Sequence, residues 1–157
     1  MKVNNIIALS LAYALMLNTR FITLNNSKGD TWLSPTAQGY VKELSAQYGI
    51  QPELIEAVIE SESSCKNSAN NGFCYGYMQI NGGVWGYEHK SEYANIKKGV
   101  EILAGCFERA DGEVCLALDL YNGNSKAYKL YESGTISPYA EKITTRAHEL
   151  EVLHYGG

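Results

Sequence analysis

The chain has 157 residues, 45% of them hydrophobic and 19% charged, which is enough for one globular domain with a sizeable core. Its formal net charge of -4 excludes the basic surface on which nucleic-acid binding depends. The 12 tyrosines each combine an apolar face with one hydroxyl, which suits contact with sugars or proteins as well as ordinary packing.

The N-terminal segment is predicted to direct export. Lys2 precedes the mostly apolar run 6–17, whose 12 residues fit the hydrophobic part of a signal peptide and are short for a membrane span. Residues 1–20 are therefore read as a signal peptide or an uncleaved membrane anchor, with a buried N-terminal helix as the alternative. Residues 21–34 are predicted to be a polar linker and residues 35–154 the domain. The expected location is the periplasm or cell envelope.

The four cysteines agree with export, because disulfides persist outside the cytoplasm. They permit three pairings, and pairing neighbours along the chain closes two short loops, so the predicted disulfides are Cys65–Cys74 and Cys106–Cys115. Zinc is the rival interpretation, but no CxxC or Cys/His spacing is present. Four reduced, buried thiols would be expected if the protein were cytosolic. We expect no metal and no cofactor.

Capping signals predict the first two helices. Ser34-Pro35 combines an N-cap residue with proline at the first helical position, and Gly49 ends the helix that follows. Pro52 opens the second helix. The apolar face of this second helix is formed by residues at helical spacing, namely Ile55, Val58 and Ile59. Glu62 continues that face in the last turn.

The second helix also carries an acidic face, predicted to be solvated. It consists of residues at i, i+3 and i+7, namely Glu53, Glu56 and Glu60. A carboxyl at the edge of an apolar face loses hydration, which raises its pKa. A raised pKa keeps an acid protonated near neutral pH, as a general acid requires. Glu62 is therefore the candidate general acid, and a buried, hydrogen-bonded structural glutamate is the competing interpretation.

The remaining elements are predicted from breakers and apolar runs. Residues 63–75 are expected to form a loop and residues 81–83 a turn. A long helix is expected from about Ser91 to the break at Asp111-Gly112. Residues 114–120 are expected to form a separate, strongly apolar helix.

The last helix is predicted to begin at Ser137-Pro138, again as N-cap and first helical position. The inner stripe of this helix includes Tyr139, while residues 154–157 are expected to fray. Strand signals are weak throughout, so the predicted fold class is mainly α.

Three short motifs resemble the signature of the soluble lytic transglycosylase (SLT domain) family. Glu62-Ser63 at a helix end, then Ala69, then Gly76–Ile80 (GYMQI) resembles the family's Glu-Ser, Asn-Pro-x-Ala and Gly-Leu-Met-Gln. Residues 116–123 (LALDLYNG) resemble its Ala-x-x-x-Tyr-Asn-Ala-Gly, and residues 138–143 (PYAEKI) its Tyr-Val-x-Lys-Val. The three motifs occur in the family's order and span most of the domain.

The resemblance implies a single lysozyme-like helical domain with a substrate groove. It further implies cleavage of the β-1,4 bond between N-acetylmuramic acid and N-acetylglucosamine in peptidoglycan, with formation of a 1,6-anhydro end. Glu62 would be the single catalytic acid and base, and the hydroxyl of Tyr139 would lie near it. The implied substrate-binding residues are Ser63, Met78, Gln79, Tyr121, Asn122 and Tyr139.

The resemblance implies glycan strands as the partner, acted on in wall remodelling or within a secretion, conjugation or phage machine. Two alternatives stay open: a lysozyme-type hydrolase of the same fold, and a module that binds wall glycan without cutting it. The sequence departs from the family pattern where Asn67-Ser68 replaces Asn-Pro and Tyr77 replaces leucine.

Overall fold

The protein is described by a computed structural model that covers residues 32–156. The predictions for the export segment and for residues 21–31 of the linker lie outside the described residues. Within residues 32–156, no helix combines the length and the apolar composition that a membrane crossing requires.

The described part of the chain is mainly helical, which confirms the predicted fold class. It contains seven helices and one two-stranded antiparallel sheet. The helices are α1 Pro35–Tyr48, α2 Pro52–Ser63, α3 Gly82–Trp85, α4 Glu92–Arg109, α5 Val114–Tyr121, α6 Ala127–Glu132 and α7 Pro138–Tyr155. The strands are β1 Cys74–Tyr75 and β2 Ile80–Asn81, with Tyr75 opposite Ile80.

The predicted helix boundaries are confirmed where caps define them. The Ser34 hydroxyl accepts a hydrogen bond from the backbone N–H of Ala37 at 3.2 Å. Gly49 ends α1 in the left-handed conformation, with φ of 68°, which costs glycine little. Ser137 caps α7 in the same way, accepting from the N–H of Ala140 at 3.0 Å.

Helix α2 lies at the centre of the packing. It contacts α1 and α7, while α4 packs against α1 and α5. Five consecutive residues of α2, Ile55 to Ile59, are at most 6% exposed. A helix buried on most of its circumference holds its C-terminal end rigidly, and Glu62 lies at that end.

The local structure differs from the sequence-based expectations at several points. Residues 81–83 do not form a simple turn, because the side chain of Asn81 caps the short helix α3 through the N–H of Gly83 at 3.0 Å. Helix α6 and the small sheet were not predicted. The tail does not fray at residue 154, since α7 continues to Tyr155. Leu33, within the predicted linker, is only 4% exposed and joins the core.

The acidic face of α2 is not solvated, contrary to the prediction. Glu53 and Glu56 are 5% and 6% exposed, and Glu60 is bound by Arg146. Helix α7 covers this face and brings positively charged and polar groups to it. The i, i+3, i+7 spacing identified one face correctly, but spacing within a helix does not reveal which other helix lies upon it.

Gly99→Ala should destabilise the fold by about 1–3 kcal/mol, as overpacking of a core does. A Cβ at Gly99 would lie 2.3 Å from the sulfur of Met78, which is fully buried. Gly105→Ala on the same helix meets nothing within 4 Å and should stabilise by up to about 1 kcal/mol. Urea unfolding measures both; equal effects of the two substitutions would contradict the packing described here.

Candidate active site

The carboxyl group of Glu62 is half-buried at the C-terminal end of α2 and is held by a tyrosine. The hydroxyl of Tyr139 donates a hydrogen bond to Oε1 of Glu62 at 2.5 Å. Burial raises the pKa of Glu62 above its ordinary value, while the Tyr139 hydrogen bond and the positive charge of Lys142 lower it. Burial is the largest of these effects, so the pKa is raised. Glu62 therefore has the property expected of a general acid.

The start of α7 fixes the position of Tyr139. Besides capping α7, Ser137 donates a hydrogen bond from its hydroxyl to Oδ1 of Asp119 at 2.6 Å, which ties the first turn of α7 to α5. Burial and the neighbouring charge of Glu62 raise the pKa of Tyr139 far above its ordinary value. The Tyr139 hydroxyl thus stays protonated and acts toward Glu62 only as a donor.

Tyr121 is the last residue of α5 and lies in the same neighbourhood. Its hydroxyl donates to the backbone carbonyl of Met78 at 2.8 Å, which joins α5 to the turn between the two strands. Burial and the charge of Glu62 raise the pKa of Tyr121 well above its ordinary value. Glu62, Tyr121 and Tyr139 are therefore brought together from three separate helices.

The turn at residues 76–79 is held by polar contacts from two directions. The amide of Gln79 donates to the carbonyls of Gly76 and Ala69 at 3.0 and 3.3 Å, and the N–H of Gly76 also donates to Ala69 at 2.8 Å. The side chain of Asn95 accepts from the N–H of Met78 at 2.9 Å. A Cβ at Gly76 would lie 2.2 Å from that side chain. Gly76 therefore leaves the room that the side chain of Asn95 occupies.

Two residues implied as substrate contacts have buried side chains. Met78 is fully buried and packs against Gly99, and its backbone carbonyl accepts the hydrogen bond from Tyr121. Ser63 is 7% exposed, and its hydroxyl donates to the carbonyl of Ile59 at 3.1 Å. The substrate contacts implied for Ser63 and Met78 stay predictions. Asn122 is exposed beside Tyr121, and its role stays a prediction.

Among the described residues the structure contains no disulfide bond, and the pairings Cys65–Cys74 and Cys106–Cys115 stay predictions. The surroundings favour protonated thiols. Burial, with the charges of Glu60 and Glu56, raises the pKa of Cys65 to about 11. Burial and the charge of Glu62 raise the pKa of Cys74. The two sulfurs thus lie near different carboxylates of α2.

Two basic residues near the site, Lys142 and Arg146, were not predicted as part of it. Lys142 contacts the hydroxyl of Ser61 at 3.2 Å and acts on Glu62 through its charge. Arg146 binds Glu60, which the sequence placed in solvent. The signal for Lys142 was present, since it stands in the third motif one turn after Tyr139. Nothing in the spacing indicated Arg146.

Comparison with known proteins assigns no family. No protein-family model matches the chain, and no curated protein matches it significantly. Within the described residues, no group of three His, Cys, Asp or Glu side chains is placed to hold a metal ion.

Proposed function

We propose that this protein is a peptidoglycan lytic transglycosylase with a lysozyme-like fold. The observation that carries the proposal is the Glu62 carboxyl, half-buried with a raised pKa and held through Oε1 by Tyr139 at 2.5 Å. The sequence motifs supply the substrate class. The proposed groove is lined by Gln79, Tyr121, Asn122 and Tyr139.

The first chemical step is proton donation by Glu62. Because Tyr139 donates to Oε1, that oxygen is engaged, and the acidic proton resides on Oε2. This proton passes to the bridging glycosidic oxygen as the bond to C1 of the muramoyl residue breaks. The leaving strand departs with a free hydroxyl, and Glu62 becomes a carboxylate.

The second step uses the same carboxylate as a base. It takes the proton of the muramoyl C6 hydroxyl, whose oxygen forms a bond to C1 and closes the 1,6-anhydro ring. Glu62 is protonated again, and no water is consumed. One carboxyl performs both steps, whereas ordinary glycosidases use two.

The surroundings of Asp119 support a single-acid mechanism. Asp119 is a carboxylate close enough to act on Tyr139 through its charge, but it is only 3% exposed. It accepts hydrogen bonds from Ser137 at 2.6 Å and from Asn124 at 3.2 Å. A carboxylate held in this way anchors the start of α7 and has no free face to present to water or sugar.

Product analysis tests the proposal. Purified peptidoglycan incubated with the protein should release fragments whose muramoyl ends lack one water relative to a reducing end, as mass spectrometry resolves. Fragments with reducing ends would instead identify a lysozyme-type hydrolase. Binding to peptidoglycan without any soluble product would identify a wall-binding module and refute both enzymatic readings.

A further inference from the structure

Helices α2 and α7 are joined by polar contacts along their length. The end of α2 contacts the start of α7, and the start of α2 contacts the end of α7. Each contact pairs one α2 side chain with one α7 side chain. The contacts are Glu62–Tyr139 at 2.5 Å, Ser61–Lys142 at 3.2 Å, Glu60–Arg146 at 2.7 and 3.0 Å, and Glu53–His154 at 3.0 Å. The helix that carries the candidate acid is therefore bound directly to the helix that carries its tyrosine.

The Glu60–Arg146 contact has the most demanding geometry of these. Nε of Arg146 donates to Oε2 of Glu60 and Nη2 donates to Oε1, so the two planar groups meet as a fork. The side chains are 10% and 16% exposed. Paired bonds between charged planar groups are strong and restrict orientation as well as distance. Glu149 adds a third bond, accepting from Nη1 of Arg146 at 3.2 Å.

This fork lies close to the candidate site along both helices. Glu60 precedes Glu62 by two residues, and Arg146 follows Tyr139 by seven. Seven residues are almost two full helical turns, so Arg146 and Tyr139 share one face of α7, about 10 Å apart along its axis. A restraint on the rotation and sliding of α7 at Arg146 is therefore transmitted to Tyr139.

We propose that the Arg146–Glu60 ion pair is a positioning element that holds the Tyr139 hydroxyl on Oε1 of Glu62. This inference rests on the proposed function for its catalytic meaning, but the placement of the hydroxyl is measurable without substrate. Arg146 acts through Tyr139 and touches neither Glu62 nor the sugar. The ion pair thus links the packing of α7 to the proton-donating group.

The charged and titratable groups around both ends of this link enter any pH measurement. Glu62 is faced by Tyr139 and Lys142 of α7, Tyr121 of α5 and Cys74 of β1. The groups around Arg146 are Glu60 of α2, Cys65 just after α2 and Glu149 of α7 itself, and Glu56 of α2 also acts on Cys65. Of these, Tyr139 is the group that donates a hydrogen bond to Oε1 of Glu62, so the pKa of Glu62 reports whether the Tyr139 hydroxyl is in place.

The test is a double-mutant cycle between Arg146→Met and Tyr139→Phe. Arg146→Met should lower the rate of peptidoglycan cleavage about tenfold, since small misplacements of catalytic groups cost that much or more. In the Tyr139→Phe background the same change should alter the rate less than about twofold, because the hydroxyl to be placed is gone. If Arg146→Met lowers the rate by the same factor in the parent and in the Tyr139→Phe background, the proposal is overturned.

An NMR titration of the Glu62 carboxyl keeps the test independent of activity. Arg146→Met should raise the pKa of Glu62 in the same direction as Tyr139→Phe, because both remove the hydrogen bond that lowers it. An unchanged pKa would overturn the proposal, and so would a lowered one, which would mean that Arg146 shields the site from water. If the parent protein cleaves no peptidoglycan, the proposed function fails while this titration still decides the positioning role.

Two further variants separate positioning from general loss of stability. Removing Arg146 leaves Glu60 buried without its partner, so Arg146→Met can unfold the protein. Arg146→Lys retains the charge but not the planar fork, and should show the same changes in rate and pKa in a folded protein. His154→Ala breaks the contact at the far end of α7 and should leave both unchanged. Equal effects of His154→Ala and Arg146→Lys would refute the proposal.

Discussion

Glu62→Gln should lower the rate of peptidoglycan cleavage by about 10²- to 10⁴-fold, the range that a general acid contributes. Glutamine has the shape of glutamate, and its carbonyl can still accept from Tyr139, but it has no proton to transfer at neutral pH. The measurement is the release of soluble glycan from purified cell wall. Glu108→Gln, at an exposed position on α4, is the matched control and should cleave at the parent rate. Equal activity of the two variants would rule out an enzymatic role for Glu62.

The same substitution should make the fold more stable at neutral pH. Burial raises the pKa of Glu62 in the folded state, so the folded state binds the proton more tightly than the unfolded chain does. The stability linked to this proton is fully present below the unfolded pKa of about 4.3. It is lost as the pH rises through the folded pKa. The Glu62→Gln variant has no such proton, so it loses no stability over that pH range. The Tm difference should therefore be largest near pH 7 and vanish near pH 4.

The sequence predicted the parts of this fold that depend on neighbours along the chain. The limits of α1 follow from Ser34, Pro35 and Gly49, whose caps act within a few residues. Helical spacing also placed Glu60 and Glu62 on different faces of α2, although the solvation predicted for the Glu60 face is wrong. Hydrogen bonding at a cap and periodicity within a helix are local properties, and both were sufficient here.

The parts that failed depend on contacts between distant segments. The partner of Glu60 is 86 residues away along the chain, so its burial could not be derived from α2 alone. The burial of Met78 was likewise not derivable from its motif, because its side chain packs on Gly99 of a helix whose position the motif does not encode. The pairing of Tyr139 with Glu62 was anticipated only through the family resemblance. Long-range packing decides which groups meet, and one sequence does not reveal it.

Tyr139→Phe should move the high-pH limb of the activity profile to higher pH and lower the maximal rate by about 10- to 100-fold. The Tyr139 hydrogen bond stabilises the ionised carboxyl and so lowers the pKa of Glu62. Phenylalanine keeps the ring, and with it the burial that raises this pKa, but removes the donor. Glu62 then stays protonated to higher pH. The rate falls because the carboxyl is no longer held in one orientation. The dependence of kcat/KM on pH reports the pKa in the free enzyme.

The matched control is Tyr131→Phe, which removes a hydroxyl from a tyrosine of α6 that is 49% exposed. Its pH profile and rate should equal those of the parent. A shift of the high-pH limb to lower pH in Tyr139→Phe would contradict the prediction. It would mean that the Tyr139 hydroxyl favours the protonated form of Glu62. An unmoved limb with a reduced rate would assign that limb to another group, and Lys142 and Tyr121 are the titratable neighbours to examine by the same substitution and measurement.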